Sequence, residues 1–91
     1  MKHVHLRVHG RVQGVGFRAY TARQARALGL TGWVRNEPDG TVQVVAEGDP
    51  SVLAAFVEAV RSGPGTARVD RVEESWSEGR GGYDGFQVRY A

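Results

Sequence analysis

An α+β fold, with two helices on one face of a mostly antiparallel sheet, is predicted by three observations. Short segments of alternating polarity recur along the 91-residue chain. Two helix-forming segments lie between them. The resulting order is β-α-β-β-α-β, with a short extra strand at the C-terminal end.

Each element has its own signature. Residues 3–9, "HVHLRVH", alternate strictly, with Val4, Leu6 and Val8 on one side and His3, His5, Arg7 and His9 on the other. That is a half-buried strand. Residues 18–28, "RAYTARQARAL", read as a helix by alanine-rich propensity, although the apolar stripe is poor. Gly29 is its stop signal. Residues 30–36, "LTGWVRN", and 41–47, "TVQVVAE", are strands joined by the turn "EPDG", which makes a hairpin. In "DPSVLAAFVEAVRSG", Asp49 is the cap, Pro50 opens the first turn, and Gly63 ends the helix. Val52, Leu53, Phe56, Val57 and Val60 form one apolar stripe. Residues 68–76 make an imperfectly alternating strand. The glycine-rich loop "SEGRGGYDG" follows, and "FQVRY" closes with Phe86, Val88 and Tyr90 on one side. This is the ferredoxin-like split βαβ arrangement, a fold that hosts many unrelated functions.

Composition excludes several classes. The length predicts a single domain spanning residues 1–91, and 41 % apolar residues suffice for its core. The chain lacks cysteine, so disulfides, thiolate zinc sites and cysteine nucleophiles are ruled out. No segment reads as a signal peptide or a membrane span, so a cytoplasmic protein with no membrane partner is expected. The net charge is +2, and the eleven arginines are scattered among acidic residues. That reads as a solvated surface rather than a nucleic-acid face.

The stretch "GRVQGVGFR", residues 10–18, lies between the first strand and the first helix. Gly10, Gly14 and Gly16 let the backbone approach an anion closely. Successive N–H groups and a helix N-terminus suit an oxyanion, and Arg18 adds a planar charged fork. The same glycines also suit a flexible turn. The spacing matches neither a P-loop nor a dinucleotide fingerprint. Asn36 ends the second strand beside the hairpin turn, where it has two readings: a reactive-site group, or a side chain that bonds the turn backbone.

Taken together, "VHGRVQGVGFR" and "GWVRNEPDGTVQVVAEG" resemble the two signatures of the acylphosphatase family. The resemblance runs from the first strand to "FQVRY". Gly16 departs from the family pattern, which often has a bulkier apolar residue there. The resemblance implies hydrolysis of a small-molecule acyl phosphate to a carboxylate and orthophosphate. It implies that Arg18 binds the phosphate and Asn36 orients the attacking water. The loop of Arg11, Val12, Gln13, Gly14, Val15, Gly16 and Phe17 would complete the cradle with its amides. The chemistry is compatible with so sparse a site. A carboxylate leaving group needs no general acid, and phosphoryl transfer asks mainly for positioning and charge stabilisation. No metal or other cofactor is expected.

Other readings are weaker. His3, His5 and His9 share a strand face, but no neighbouring Cys, Asp or Glu in the sequence completes a metal set. Trp33 and Phe17 as base-stacking residues would suit RNA recognition, yet "GVGFRAY" falls at a strand-to-helix turn and not in mid-strand. A third class is a sensing domain that keeps the phosphate pocket without turnover. The chain ends soon after the domain, so a free-standing enzyme is expected, and nothing suggests more than a monomer.

Overall fold

The computed structural model describes residues 1–90. The elements are β1 (Lys2–Arg11), α1 (Phe17–Ala27), β2 (Thr31–Asn36), β3 (Val42–Gly48), α2 (Pro50–Ser62), β4 (Arg68–Glu78) and β5 (Phe86–Arg89). They form one five-stranded sheet in the order β4-β1-β3-β2-β5. Every neighbouring pair is antiparallel except β2 and β5, which run parallel. No helix among the described residues is long and apolar enough to cross a membrane.

The alternation seen in the sequence sets the register. Val4, Leu6 and Val8 of β1 face Ala46, Val44 and Val42 of β3, and Val34 of β2 sits beside Val44. All seven are fully buried. Leu53, Phe56, Val57 and Val60 of α2 pack onto this row. Phe56 meets Phe86 of β5 edge-on at 6.1 Å between ring centres. That contact fastens α2 to the sheet's far edge.

Two elements differ from the sequence reading in instructive ways. Helix α1 starts at Phe17, and its buried residues are Phe17, Thr21, Ala22 and Ala25. Beyond Phe17 at its start, small side chains make its inner face, which is why the apolar stripe is poor in sequence. Strand β4 runs on to Glu78, because its ladder with β1 continues to Lys2. It is an edge strand with only Val72 buried, so its alternation is faint.

The histidines lie on the sheet face that the helices leave uncovered, and the sheet supplies partners that the local sequence did not show. His3 Nδ1 lies 2.6 Å from Glu47 Oε2 of β3, His5 Nε2 lies 2.7 Å from Gln43 Oε1, and His9 bonds Glu73 of β4. Strand pairing thus brings two acidic side chains, Glu47 and Glu73, beside histidines of β1. Glu47 is almost fully buried. Burial alone would raise its pKa. The bond with His3 and the N–H groups of Gly81 and Arg80 outweigh burial, and the carboxyl is held below its ordinary value. No group of three or more His, Cys, Asp or Glu side chains placed to hold a metal ion occurs among the described residues.

Candidate active site

The ladder between β1 and β4 shifts register between His9 and Gly10 and ends at Arg11, where the loop begins. Gly10 has φ 131°, and a Cβ there would fall 2.1 Å from the carbonyl oxygen of Arg68. Only glycine lets the two backbones pass this closely. Gly14 and Gly16 have φ 73° and 78°, but a Cβ on either would meet nothing within 4 Å. Conformation, not space, favours glycine at these two positions.

The loop delivers the chain into α1 with Gly16 at the N-cap position, where no side chain caps the helix. The first intrahelical bond runs from Tyr20 N–H to Gly16 O at 3.0 Å. The N–H groups of Phe17, Arg18 and Ala19 are therefore left without helical partners. They carry the positive end of the helix dipole.

Arg18 projects from this first turn. One guanidinium N–H donates to Arg89 O at 3.2 Å, and the guanidinium carbon lies 4.6 Å from the centre of the Tyr90 ring. Two contacts on different groups fix the fork. Asn36 closes β2 opposite, paired with Val42. Its side-chain oxygen is buried and has no hydrogen-bond partner among the described residues. A buried acceptor left this way is costly unless something else bonds it. Asn36 does not hold the hairpin turn. Asp39 does so by accepting from the Thr41 N–H and hydroxyl. The Thr41 hydroxyl, then its N–H, hold the Asp39 carboxyl below its ordinary pKa.

These groups converge on a cleft of about 220 Å³. Of the residues singled out by sequence, Val12, Gly14, Gly16, Phe17, Arg18 and Asn36 line it. Arg11, Gln13 and Val15 do not. Arg11 lies exposed on β1 opposite Arg68. Val15 packs against the core, and its carbonyl accepts from the Thr66 hydroxyl at 2.7 Å. The Gln13 side chain turns to the β2–β3 hairpin, where it donates to Glu37 O and Thr41 O. Phe17 is buried in the core, and Trp33 lies on the open sheet face between the guanidiniums of Arg35 and Arg89, each 4.9 Å from its ring centre.

Three lining residues went unnoticed in the sequence: Ala19, Val88 and Tyr90. The available signal was the "FQVRY" stripe. Phe86 is buried, but the stripe outruns the core, and Tyr90 at its end is 78 % exposed over the cleft.

Comparison with known proteins assigns this architecture. The sequence model of the family described as Acylphosphatase matches residues 4–88. The chain belongs to the acylphosphatase family. It is 53 % identical over 88 residues to an acylphosphatase of Salinibacter ruber, covering 97 % of this chain and 93 % of that one. It is 56 % identical over 84 residues to an acylphosphatase of Thermococcus kodakarensis, covering 92 % and 91 %. The crystal structure of acylphosphatase from Bacillus subtilis superposes with a TM-score of 0.95 at 39 % identity, covering 99 % of this chain and 100 % of that one. Membership makes this chain an enzyme of acyl phosphate hydrolysis, built on a ferredoxin-like acylphosphatase fold.

Proposed function

We propose that the cleft binds the phosphoryl group of a small-molecule acyl phosphate through Arg18 and the amides of the 11–18 loop, and that Asn36 holds the attacking water. One observation carries this reading: the uncapped start of α1 with Arg18, and Asn36 at the end of β2 with its partnerless side-chain oxygen, line one cleft. Because one chain supplies every wall of the cleft, we extend the proposal to a monomeric enzyme.

In the proposed reaction the oxygen of the water attacks phosphorus in line. The bond from phosphorus to the acyl oxygen breaks, and its electron pair leaves with the carboxylate. The water's protons end on the phosphate oxygens and in solvent. Asn36 cannot take a proton, but its amide oxygen accepts a hydrogen bond from the water and aims it. The guanidinium and the loop amides stabilise the equatorial oxygens as charge spreads over them. The carboxylate is a weak base and leaves without an acid or a metal ion. The apolar side of the cleft, at Ala19, Val88 and Tyr90, is left for the acyl portion.

Steady-state hydrolysis of acetyl phosphate or benzoyl phosphate, with orthophosphate as competitor, tests this. Arg18→Ala lowers kcat/KM by ~10³ or more and weakens orthophosphate inhibition, while the fold survives. Arg18→Lys fails as well, because a point charge reproduces neither the fork nor the stacking on Tyr90. Near-normal turnover in either variant overturns the assignment of Arg18. Chelator treatment leaves the wild-type rate unchanged; activity lost to chelator and restored by zinc overturns the metal-free mechanism.

A further inference from the structure

We propose that Gln13 is a positioning residue that sets the distance between the bound phosphoryl group and the water on Asn36. Gln13 belongs to the phosphate loop by its backbone and to the hairpin by its side chain. Its Nε2 donates to Glu37 O and to Thr41 O, each at 2.8 Å. Glu37 directly follows Asn36, and Thr41 directly precedes Val42, the strand partner of Asn36. The carboxamide therefore grips both strands of the hairpin one residue beyond Asn36. Among the described residues these are the only side-chain hydrogen bonds between the 12–16 loop and the hairpin.

The residue type follows from the task. Two carbonyl oxygens must be met by two N–H groups on one atom, and a primary amide offers that. Glutamate in its place offers no donor and sets a negative charge beside two carbonyls and a phosphate. The hairpin does not need Gln13 to close. Thr41 O also accepts from Glu37 N–H at 2.9 Å, and Glu37 O from Gly40 N–H at 3.1 Å. Within the turn, Asp39 bonds Thr41 independently. Removing the glutamine amide thus leaves the turn's own bonds in place and frees the hairpin to shift against the loop. Gly14 and Gly16 give the loop backbone the freedom to make that shift matter. In-line attack is sensitive to such movement, since about 1 Å of misplacement can cost ~10²-fold in rate.

The inference rests on Asn36 holding the water, so its test varies both residues. The enzyme, Gln13→Met, Asn36→Ala and the double variant are compared for kcat, KM and orthophosphate inhibition. Gln13→Met keeps the shape and removes both donors. It lowers kcat by roughly 10- to 100-fold and leaves the orthophosphate inhibition constant within about twofold. The double variant is no slower than Asn36→Ala, because Gln13 acts only through the water holder. Gln13→Asn, whose amide is one carbon short of the hairpin, shows the same split should the methionine variant fold poorly. Wild-type kcat in the Gln13 variants overturns the proposal. So does orthophosphate binding that weakens in step with kcat, or additive losses in the double variant. A normal kcat in Asn36→Ala overturns the reading of Asn36 beneath it, a result separable from any behaviour of Gln13.

Discussion

The two helices begin in opposite ways. Helix α2 is sealed by its own chain: Asp49, at φ −64°, accepts from Ser51 N–H at 2.9 Å, and Pro50 sits in the first turn with no N–H to satisfy. Helix α1 begins at Gly16, at φ 78°, with no side chain over its first amides. One terminus carries an internal anion and the other is left open to an external one. The difference extends to how each helix is held. Helix α2 is anchored by Leu53, Phe56, Val57 and Val60. Helix α1, with smaller buried residues, is tied by polar bonds. Tyr20 donates to Ala59 O of α2 at 2.8 Å, Arg26 donates twice to Phe86 O, and Arg18 donates to Arg89 O. On the proposed reading, α1 forgoes a cap in order to bind, while polar tethers along its length hold it to α2 and β5.

Three substitutions break or sharpen this contrast. The largest effect comes from giving α1 an acidic group of its own. Gly16→Asp has room, and aspartate tolerates a positive φ better than most residues. Its carboxylate occupies the neighbourhood meant for substrate, so kcat/KM falls by ~10² to 10³ and orthophosphate no longer inhibits, while the protein stays folded. Kinetics beside a thermal melt check both halves. A smaller effect follows from loosening Arg18. Tyr90→Ala removes the ring beneath the guanidinium but not the bond to Arg89 O. An exposed cation–π contact is worth about 0.5–1 kcal/mol, so KM rises by roughly two- to fivefold with kcat nearly constant. The smallest effect on activity comes from uncapping the other helix. Asp49→Ala lowers Tm by a few degrees and leaves kcat and KM alone.

The same cap has a defined response to acid. The Ser51 hydroxyl, then its N–H, hold the Asp49 carboxyl below its ordinary value of 3.8. With the folded pKa beneath the unfolded one, the cap stabilises fully above the unfolded value and is lost as pH falls through the folded value. The gap in Tm between wild type and Asp49→Ala therefore closes on acidification below about 3.8. A gap that stays constant removes the charged cap from the account.

What the sequence disclosed was mostly local. Alternation in β1 and β3, the Asp49–Pro50 start and the turn residues each act over a few positions, and the element order follows from them. The faint cases have physical causes. Thr21, Ala22 and Ala25 are small residues that are nonetheless buried, and β4 is an edge strand with only Val72 buried. In the cleft, the glycine run and Arg18 were legible because backbone freedom and charge are written in residue type. The reach of Gln13 to a hairpin 24 and 28 residues away was not, nor was the Thr66 hydroxyl bond to Val15 O across 51 residues. Tyr90 was hidden for another reason. Its spacing belongs to a core stripe, and only the three-dimensional edge of the core shows that it stands over the site. For Asn36 the sequence left the turn-bonding role open, and Asp39 and Gln13 turn out to fill it.

The bond from Arg18 to Arg89 O spans 71 residues, and β5 joins the sheet beside β2 rather than beside its neighbour in sequence. This arrangement imposes an order on biosynthesis. A ribosome has emitted the glycine-rich loop, both helices and four strands before the carbonyl that steadies Arg18 exists outside the exit tunnel. Closing such long loops is slow, and a chain dominated by distant pairings folds in milliseconds to seconds rather than microseconds. The nascent polypeptide thus gains its fully braced arginine only when translation has passed residue 89 and the last strand has slid in beside β2.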